Sequence, residues 1–586
     1  MSDFASSDGA IISASNARLY REHFLDVPTA SPVAVPLHER RAGTYPDPLV
    51  PFFDPYSPGN VPVGAPFDVE PGGLAVVFVD VYVPASAVPG RYSGTATVTA
   101  EGRDPAAIPV NLDVWEIDIP NERTIGTAFG FSGGRTSRFH GGPEGAAAAD
   151  IDAIRARYFE ALHEHRMDPT TVSGPVNFTF DAGGNLEPVD WSAYDAAVAP
   201  FLDGTKFADG VGVARFNVDH FRPGHGLGSM TEDQWAQAAA AFAEHLNEKG
   251  WWDRSYVYGI DEPWLNGGDK VYEQMAREQA LLARYTDLWD GHVLVTGPFD
   301  PRITGGVGIW CPVTPMFEDW FYNDERKPGR AEYAERMALG EELWFYVCNA
   351  NTPPYAGYDI DTTIGYEPRI VKWGTWFERA TGFLFWSVDY WVENDPWKVF
   401  RDVPQFSEFG ARNGDGFLFY PGNHDGTEGG KGSPPEVAID GPIVSYRMKQ
   451  IRDGFEDWEL FRMAESLGAG DFARQQVGRA YRRFGDFFAV DCDARGSYCP
   501  DRQPWTLDES LLLEVREKIA LKVQYLLHPD RYDDPEAPGA DAGSGTDAAT
   551  GPDTGTVPAD AGGTADAAPA TSGEPGGCGC STLSIE

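Results

Sequence analysis

From residue 121 to about residue 530, short apolar runs alternate with longer stretches of helical period, and this alternation constrains the fold more than any other feature. The predicted strands are Gly126–Phe131, Pro169–Ser173, Val211–Val218, Ser255–Ile260, His292–Thr296, Val307–Cys311, Leu343–Cys348 and Phe383–Val388. The predicted helices between them include Asp150–His165, Thr231–Lys249, Lys270–Leu288, Arg330–Leu339 and Tyr366–Ala380. Eight strands that alternate with helices predict an α/β fold of the (β/α)8 TIM-type barrel class.

The segments on either side differ from this central region. With 586 residues the chain is too long for one core. Residues 1–120 contain short alternating strands separated by Pro and Gly turns, which is typical of an antiparallel β-sandwich. After Tyr532 the chain has no Lys, Arg or aromatic residue, so it cannot bury a core. We therefore predict a β-sandwich (1–120), a barrel domain (121–530) and a disordered low-complexity tail (531–586).

The chain is strongly acidic, with a net charge of −43. This charge argues against nucleic acid and against an anionic membrane surface as partners. No segment approaches the roughly 18 apolar residues of a membrane span. Residues Met1–Asp8 lack the pattern of a signal peptide, so either the chain is a fragment or export is signalled elsewhere. Gly576–Ser581 resembles the Cys-Gly-Cys sorting tags of myxobacterial surface proteins, which implies an extracellular or cell-surface location.

The cysteines do not indicate a metal site, because no pair has the Cys-x-x-Cys spacing of zinc sites. Cys492 and Cys499 flank a polar loop, so a surface disulfide is expected if the protein is exported. Cys311 and Cys348 lie in apolar strands and are expected to be inert core thiols. The acidic loop Asn413–Gly416 lacks a full calcium-ligand pattern and is predicted to be a turn. We predict no metal and no cofactor.

The fourth predicted strand leads directly into two adjacent carboxylates, Asp261 and Glu262, and Pro263 stops the run. Catalytic groups of a parallel barrel lie where strands end, so this pair is well placed for chemistry. Successive strand residues point to opposite faces, so the two acids can share a site only if the strand breaks there. Pro263 supplies a break, because it cannot continue the hydrogen-bond ladder. The competing interpretation is an acid pair in a solvated loop.

A second acid pair, Glu456-Asp457, lies in the predicted helix Ser445–Leu460. Its helical spacing to Arg452, with Arg447 nearby, predicts structural ion pairs rather than a second catalytic site.

Residues at the other strand ends are candidate substrate contacts. The aromatic candidates, which could stack on a sugar, are Trp310, Trp344, Tyr346, Trp386, Tyr390 and Trp391. The candidates for binding hydroxyl groups are Asn349, His220 and Asp389. For each aromatic residue a place in the barrel core is an equally good interpretation, and a strand-end histidine is more often structural than catalytic.

Several stretches, in this order, together resemble glycoside hydrolase family 123 over about residues 15–470. Tyr256–Pro263 resembles the strand that carries the family's Asp-Glu pair. The other stretches are Val83–Thr95 and Leu112–Pro120, similar to the family's β-sandwich, and Phe417–Gly422 and Ser445–Trp458, similar to the C-terminal domain of unknown function 4091. Characterised members are β-N-acetylgalactosaminidases, so the resemblance implies a glycosidase with that preference.

The residues agree with that implication. The seventh predicted strand ends Tyr346–Asn351 without an acid, so the covalent nucleophile of many retaining barrel glycosidases has no candidate there. Substrate assistance removes the need for one, because the sugar's own 2-acetamido oxygen attacks the anomeric carbon. Glu262 would protonate the leaving oxygen and later activate water, while Asp261 would hold the acetamido N–H. We therefore predict a retaining hydrolase of β-N-acetylhexosaminides, with a glycan or glycoconjugate as its partner.

Two alternatives stay open at this point. The chain could be a non-catalytic carbohydrate-binding surface protein, since its sandwich and acidic tail are compatible with display. It could also be a two-carboxylate glycosidase whose second group is Asp389 or Glu318, and the separation from Glu262 would then set the stereochemistry. The sequence does not specify linkage, exo or endo action, or oligomeric state.

Overall fold

The computed structural model describes residues 1–31, 40–141, 148–317, 320–322, 325–327, 329–351, 355–362, 364–391, 396–397, 412–422, 437, 439–482 and 505–537. All structural statements refer to these residues. The predictions for Glu318, for a Cys492–Cys499 disulfide, for the sorting tag at Gly576–Ser581 and for the tail beyond residue 537 lie outside them.

Two antiparallel sheets form the N-terminal part of the molecule. Their strands are β1 (Phe4–Ser6), β2 (Ile11–Ile12), β3 (Ala17–Val27), β4 (Gly43–Pro51), β5 (Val77–Val81), β6 (Gly90–Val98) and β7 (Ala106–Val114). One sheet has the order β2-β1-β6-β7 and the other β4-β3-β5. Phe4, Ile12 and Tyr92 of the first sheet form a core against which Ala17 and Val81 of the second sheet pack. Two sheets that share a core between them form a β-sandwich, as predicted.

A parallel sheet of seven strands follows and forms a nearly closed barrel. The further strands of the described chain are β8 (Gly126–Phe129), β9 (Phe216–Asn217), β10 (Ser255–Tyr258), β11 (Val293–Thr296), β12 (Val307–Cys311), β13 (Trp320–Tyr322), β14 (Glu325–Lys327), β15 (Glu342–Val347), β16 (Gly382–Phe385), β17 (Phe419–Pro421) and β18 (Pro442–Val444). The barrel order is β8-β16-β15-β12-β11-β10-β9, while β13-β14 and β17-β18 are separate antiparallel pairs.

Seven of the eight predicted barrel strands are confirmed, although β9 is shorter than expected. The eighth, Pro169–Ser173, is not a strand, since a single parallel bridge joins Pro169 to Phe129 of β8. On the other side of this segment the Ser173 hydroxyl donates to Asp219, beyond the end of β9, at 2.9 Å. Proline lacks the amide donor that a central strand needs. The segment Pro169–Ser173 therefore joins its neighbours in the barrel through these isolated contacts and not through a strand ladder.

Helices surround the barrel and pack on its outer face. Those in the described part of the chain are α1 (Gly133–Gly141), α2 (Ala148–Glu164), α3 (Ser192–Leu202), α4 (Glu232–Glu248), α5 (Asp269–Leu282), α6 (Arg330–Ala338), α7 (Glu367–Phe377), α8 (Tyr446–Ser466), α9 (Gly470–Ala480) and α10 (Glu509–Leu527). Thr231 caps α4 in a capping box with Gln234, as its sequence predicts. None of these described helices has the length and apolar character needed to cross a membrane.

Side chains fill the barrel interior, because strand residues alternate between the interior and the helices. The interior cluster is Ala128, Tyr256, Leu294, Ile309, Cys311, Val313, Met316, Trp344, Tyr346, Cys348 and Leu384. Trp344 closes the amino-terminal end, where Gly126 and Gly382 leave room for its indole: a Cβ at either glycine would lie 2.6 or 2.1 Å from the ring. Tyr258 and Trp386, near the carboxyl ends of their strands, pack on the cluster and stay partly exposed. The open face of the barrel is therefore its carboxyl end.

Buried charged contacts join the sandwich to the barrel domain. Asp47 of β4 is 1% exposed and accepts hydrogen bonds from Arg447 Nε at 3.1 Å and Nη2 at 2.9 Å. Arg40 pairs with Asp359 and Glu367, both at 2.8 Å. Removing one partner of such a buried pair would leave an uncompensated charge and destabilise the protein. These contacts therefore stabilise the packing of the sandwich against the barrel domain.

The second acid pair is structural, as predicted, although most of its partners differ from those expected. Asp457 pairs with Arg369 of α7 and Arg516 of α10, both at 2.6 Å. Glu456 lies 3.9 Å from Arg452, one of the two predicted partners. The pair therefore belongs to the packing of α8 against its neighbours.

Candidate active site

A sharp turn after β10 places the first acid pair at the open end of the barrel. β10 ends at Tyr258, and Glu262 has a φ of +40°, which is uncommon for a residue with a side chain. Such a conformation persists only where the surrounding structure holds it. Here the Glu262 N–H donates to Thr296 Oγ1 at 2.9 Å, and Thr296 ends the neighbouring strand β11. The predicted break in the strand is therefore present, and a threonine hydroxyl stabilises it.

Two hydroxyl groups fix the Asp261 carboxylate. Its Oδ1 accepts hydrogen bonds from Tyr258 Oη at 2.5 Å and from Thr296 Oγ1 at 2.8 Å. The Asn266 side-chain amide donates to the Asp261 carbonyl at 2.7 Å and braces the backbone. Asp261 itself is partly exposed at the mouth of the barrel. Its carboxylate is thus oriented before any substrate arrives.

Glu262 is 1% exposed and is held from the opposite direction by Tyr346 of β15. The Tyr346 hydroxyl donates to Glu262 Oε1. Burial, together with the nearby Glu262, raises the pKa of Tyr346 well above its usual range, so the hydroxyl keeps its proton and remains a donor. Tyr346 was predicted to stack on a sugar, whereas in the structure it orients the Glu262 carboxyl group.

Arg222 supports the turn from its outer side. Its Nε donates to the Tyr258 carbonyl at 2.7 Å and its Nη2 to the Gly259 carbonyl at 3.2 Å. The guanidinium lies 5.5 Å from the centre of the Tyr258 ring. Burial lowers the pKa of Arg222, and the charges of Tyr258, Asp219 and Asp261 oppose that shift. The strand-end carbonyls are thereby satisfied at the point where the ladder stops.

Two of the predicted aromatic contacts do lie at the open end, at the carboxyl end of β16. Trp386 and Tyr390 are partly exposed, and their ring centres are 5.0 Å apart. Trp386 Nε1 donates to Asp415 Oδ1 at 3.0 Å. Asp415 is a partly exposed residue, and it is not among the site residues predicted from the sequence. It lies in the predicted turn Asn413–Gly416, which the structure confirms as a turn.

Three tryptophans predicted as sugar contacts belong to the core instead. Trp310 lies on the outer face of β12, with its ring 4.8 Å from that of Phe299. Trp344 faces the interior but fills the amino-terminal end of the barrel. Trp391 is buried and donates its Nε1 to the Phe419 carbonyl at 3.0 Å. For Trp310 and Trp344, the residue type does not reveal which face of the strand carries the side chain or at which end of the barrel it lies. Trp391 lies beyond the end of β16, where tertiary contacts bury it.

His220 does not face the acid pair. Its ring packs against Tyr194 of α3 and Phe242 of α4, with ring centres 5.7 and 4.9 Å away. His220 Nδ1 also lies 3.0 Å from Asp219 Oδ1. The structure therefore places this predicted hydroxyl-binding residue among the outer helices.

Asp389 is fully buried and is used for structure. Its carboxylate accepts hydrogen bonds from the Ser132 N–H at 3.0 Å and from Arg135 Nη1 at 3.2 Å. Burial raises the pKa of Asp389 to about 6, although Arg135 opposes the shift. A carboxylate enclosed in this way is not positioned as a second catalytic group or as a sugar ligand.

Asn349 and Cys348 follow β15 at the same end of the barrel. Asn349 is 5% exposed, and its backbone N–H lies close enough to the Asp415 carboxylate to oppose the rise in the pKa of Asp415. Cys348 is disulfide-bonded, which corrects the expectation of an inert thiol, whereas Cys311 is a free, buried thiol as expected. Among the residues that the structure describes, no group of three or more His, Cys, Asp or Glu side chains is arranged to hold a metal ion.

Residues of the site that were not predicted from the sequence include Tyr258, Thr296 and Asp415. A signal existed for the first two, because Tyr258 and Asp261 are three residues apart at one strand end and Thr296 ends the adjacent predicted strand. Asp415 offered no local signal. It lies beyond the last barrel strand in a loop whose return to the barrel depends on tertiary contacts.

Comparison with known proteins agrees with the fold. The model of the glycoside hydrolase 123 catalytic domain matches residues 227–464. A family 123 glycoside hydrolase from Clostridium perfringens, solved in a study of glycolipid glycan hydrolysis, aligns with a TM-score of 0.59 and 16% identity over 90% of this chain and 89% of that chain. At this identity the alignment shows a shared fold.

More distant structures align less well. A family 39 β-xylosidase from Caulobacter crescentus has a TM-score of 0.28 and 13% identity over 57% of this chain and 71% of that chain. A β-glucuronidase from Parabacteroides merdae has a TM-score of 0.26 and 10% identity over 78% of this chain and 51% of that chain. Neither is similar enough to inform the site. No curated protein matches the chain.

A parallel barrel with a carboxylate pair at the end of its fourth predicted strand, within residues that match a glycoside hydrolase catalytic domain, supports a glycosidase. The chain is similar to family 123 glycoside hydrolases, and a β-sandwich precedes its barrel. The family resemblance and the fold predicted from the sequence are both confirmed.

Proposed function

We propose that the protein is a retaining β-N-acetylhexosaminidase, with β-N-acetylgalactosaminides preferred, that uses the 2-acetamido group of its substrate as the nucleophile. The observation that carries the proposal is the shared anchoring of two adjacent carboxylates. Thr296 contacts both Asp261 and the backbone of Glu262, at 2.8 and 2.9 Å. Tyr346 orients the Glu262 carboxyl group. Two acids held in this way can act on neighbouring atoms of one sugar.

The first step breaks the glycosidic bond. The acetamido carbonyl oxygen attacks C1 while Glu262 transfers its proton to the departing glycosidic oxygen. The C1–O bond to the leaving group breaks and a C1–O bond to the acetamido oxygen forms, which gives an oxazolinium ion. Asp261 holds the acetamido N–H and stabilises the positive charge that develops there. Its fixed orientation means that little reorganisation is needed at that moment.

The second step reverses the proton transfer. Glu262, now a carboxylate, takes a proton from water as the water oxygen attacks C1. The bond between C1 and the acetamido oxygen breaks, and the acetamido group and the Glu262 proton are restored. Two displacements at C1 leave the anomeric configuration unchanged.

The positions considered from the sequence as sites of a conventional protein nucleophile do not support one where the structure describes them. Asp389 is enclosed by Ser132 and Arg135, and the end of β15 carries Asn349 rather than an acid. The other carboxylate considered from the sequence, Glu318, lies outside the described residues. The substrate-assisted route needs neither residue.

A panel of aryl glycosides tests the proposal. We expect turnover of β-N-acetylgalactosaminides, weaker turnover of β-N-acetylglucosaminides and none of β-galactosides or β-glucosides. Proton NMR of the first-formed product should show the β-anomer. Turnover of the plain β-galactoside or β-glucoside without turnover of either acetamido sugar would contradict substrate assistance, and an α-anomeric first product would contradict retention.

A further inference from the structure

Asp415 is a carboxylate at the open end of the barrel whose hydrogen bonds come from neutral donors. It accepts from Trp386 Nε1 at 3.0 Å, and the backbone N–H of Asn349 lies close enough to lower its pKa. Within the described chain it has no ion pair with a lysine or arginine, in contrast to the enclosed Asp389, which pairs with Arg135. A carboxylate has about four acceptor positions, so Asp415 has capacity for further donors. Burial disfavours the charged carboxylate and raises its pKa to about 6. Hydroxyl donors from a ligand would stabilise the charged form.

The turn that carries Asp415 fits closely against the indole of Trp386. Gly416 has a φ of +84°, and a Cβ there would lie 2.4 Å from Trp386 Cζ2, so only glycine permits this approach. The Gly414 carbonyl accepts a hydrogen bond from Arg447 Nη1 at 2.7 Å. The carboxylate and the indole are thus fixed relative to each other, as a recognition site requires.

The position of Asp415 and Trp386 relative to the acid pair indicates which part of a bound sugar they contact. In the barrel order three strands, β15, β12 and β11, separate β16 from β10. Around the other side lie β8, the segment near Pro169 and β9, which are again three positions. The ends of β10 and β16 therefore face each other across the mouth. Asp261 and Glu262 follow β10, whereas Trp386 follows β16 directly and holds Asp415.

A pyranose ring placed between these ends has a defined orientation. If C1 and the C2 acetamido group meet Glu262 and Asp261, then C4 and the C5 hydroxymethyl group face the opposite strand end, because they lie across the ring. We propose that Asp415 accepts hydrogen bonds from the C4 and C6 hydroxyl groups of the sugar while Trp386 stacks on its apolar face. This inference takes the orientation of the sugar from the proposed function. It makes Asp415 a specificity residue that distinguishes an axial from an equatorial C4 hydroxyl.

Deoxy substrates test the inference on the unmodified protein. Aryl β-N-acetylgalactosaminides that lack the C4 or the C6 hydroxyl should lose about 10- to 100-fold in kcat/KM, the usual effect of losing a hydrogen bond to a charged group. If both deoxy analogues are cleaved as well as the complete sugar, Asp415 does not read these hydroxyl groups and the inference is wrong.

The matched variants are Asp415→Asn and Asp389→Asn, which remove the same charge at neighbouring positions. Asp415→Asn should raise KM and reduce the kcat/KM ratio between the two C4 epimers, with kcat changed less. Asp389→Asn should lower the melting temperature and leave the epimer ratio as it is. An unchanged epimer ratio in folded Asp415→Asn contradicts the inference.

Equilibrium binding separates this inference from the proposed function. If the parent protein cleaves no acetamido sugar, the proposed function fails. Binding of methyl β-N-acetylgalactosaminide, measured by calorimetry and by tryptophan fluorescence, then tests Asp415 alone. Weaker binding by Asp415→Asn supports the inference, whereas equal binding, or no binding by the parent protein, overturns it.

Discussion

Thr296 shows how much of this site depends on one hydroxyl group. It accepts the Glu262 N–H and donates to Asp261 Oδ1, so it stabilises the left-handed backbone and the carboxylate orientation together. A residue with φ above zero and a side chain is strained unless its surroundings hold it. Thr296 supplies that restraint from the adjacent strand, and it positions Asp261 and Glu262 without needing to contact the reacting atoms.

Replacing Thr296 by valine should therefore reduce activity more than stability. Thr296→Val keeps the shape but removes the donor and the acceptor, and we expect kcat to fall about 10- to 100-fold. Thr296→Ser keeps the hydroxyl and should retain most of the activity. Kinetics on an aryl β-N-acetylgalactosaminide, with melting temperatures for both variants, check this. Equal losses in the serine and valine variants would show that packing of the methyl group matters instead.

At the residue scale, the sequence identified the acid pair but not all of its surroundings. Asp261 and Glu262 were recognisable because a buried strand ends at them. Trp310 and Trp344 were misplaced, because a tryptophan in a strand has the same local sequence whether it faces the interior, the helices or the closed end. Strand register and depth decide between these places, and neither is encoded in the residue type.

At the scale of elements, the turn 413–416 has a role that its own sequence does not indicate. Its glycines allow it to reach Trp386, and contacts from distant segments hold it. By contrast, seven barrel strands were predictable from short apolar runs alone. The run at Pro169–Ser173 has the composition of a strand, but its proline and the isolated contacts around it leave only one bridge.

The carboxyl group of Asp415 in this turn leads us to expect that KM depends on pH. Burial raises the pKa of Asp415 to about 6, where Asp359 adds to the shift and Trp386, Arg412 and the Asn349 backbone oppose it. Asp415 is protonated below this pKa, and it then accepts hydroxyl donors less strongly. KM should therefore rise as the pH falls through about 6. Measurements of KM against pH check this, with Asp415→Asn as the control, whose KM should not show that rise. A parent KM that is flat across this range would contradict the prediction.

At the scale of the whole molecule, buried charge couples the sandwich to the barrel. Arg447 at the start of α8 depends on Asp47 of β4, which also accepts a hydrogen bond from Tyr420. The sequence predicted both domains from their strand patterns. It could not predict this contact, because the partners are 400 residues apart.

Removing Asp47 should destabilise both parts of the molecule. Asp47→Ala leaves the Arg447 charge buried without its carboxylate, and we expect a loss of about 3–5 kcal/mol in the free energy of unfolding. The control is Arg18→Ala, which breaks the exposed pair with Glu164 and should cost about 0–1 kcal/mol. Denaturant unfolding of both variants measures the difference. Similar small losses would show that the sandwich and the barrel do not depend on this contact.

We propose that Glu262 is the proton donor and that Asp261 orients the acetamido group. The most direct test compares Glu262→Gln and Asp261→Asn on two β-N-acetylgalactosaminides, one with an activated aryl leaving group and one with a poor alkyl leaving group. General acid catalysis contributes about 10²–10⁴-fold, so Glu262→Gln should lose most on the alkyl glycoside and be partly rescued by the aryl group. Asp261→Asn should be slow on both substrates, because cyclisation is impaired whatever group departs. Rescue of Asp261→Asn, and not of Glu262→Gln, by the activated leaving group would contradict this assignment.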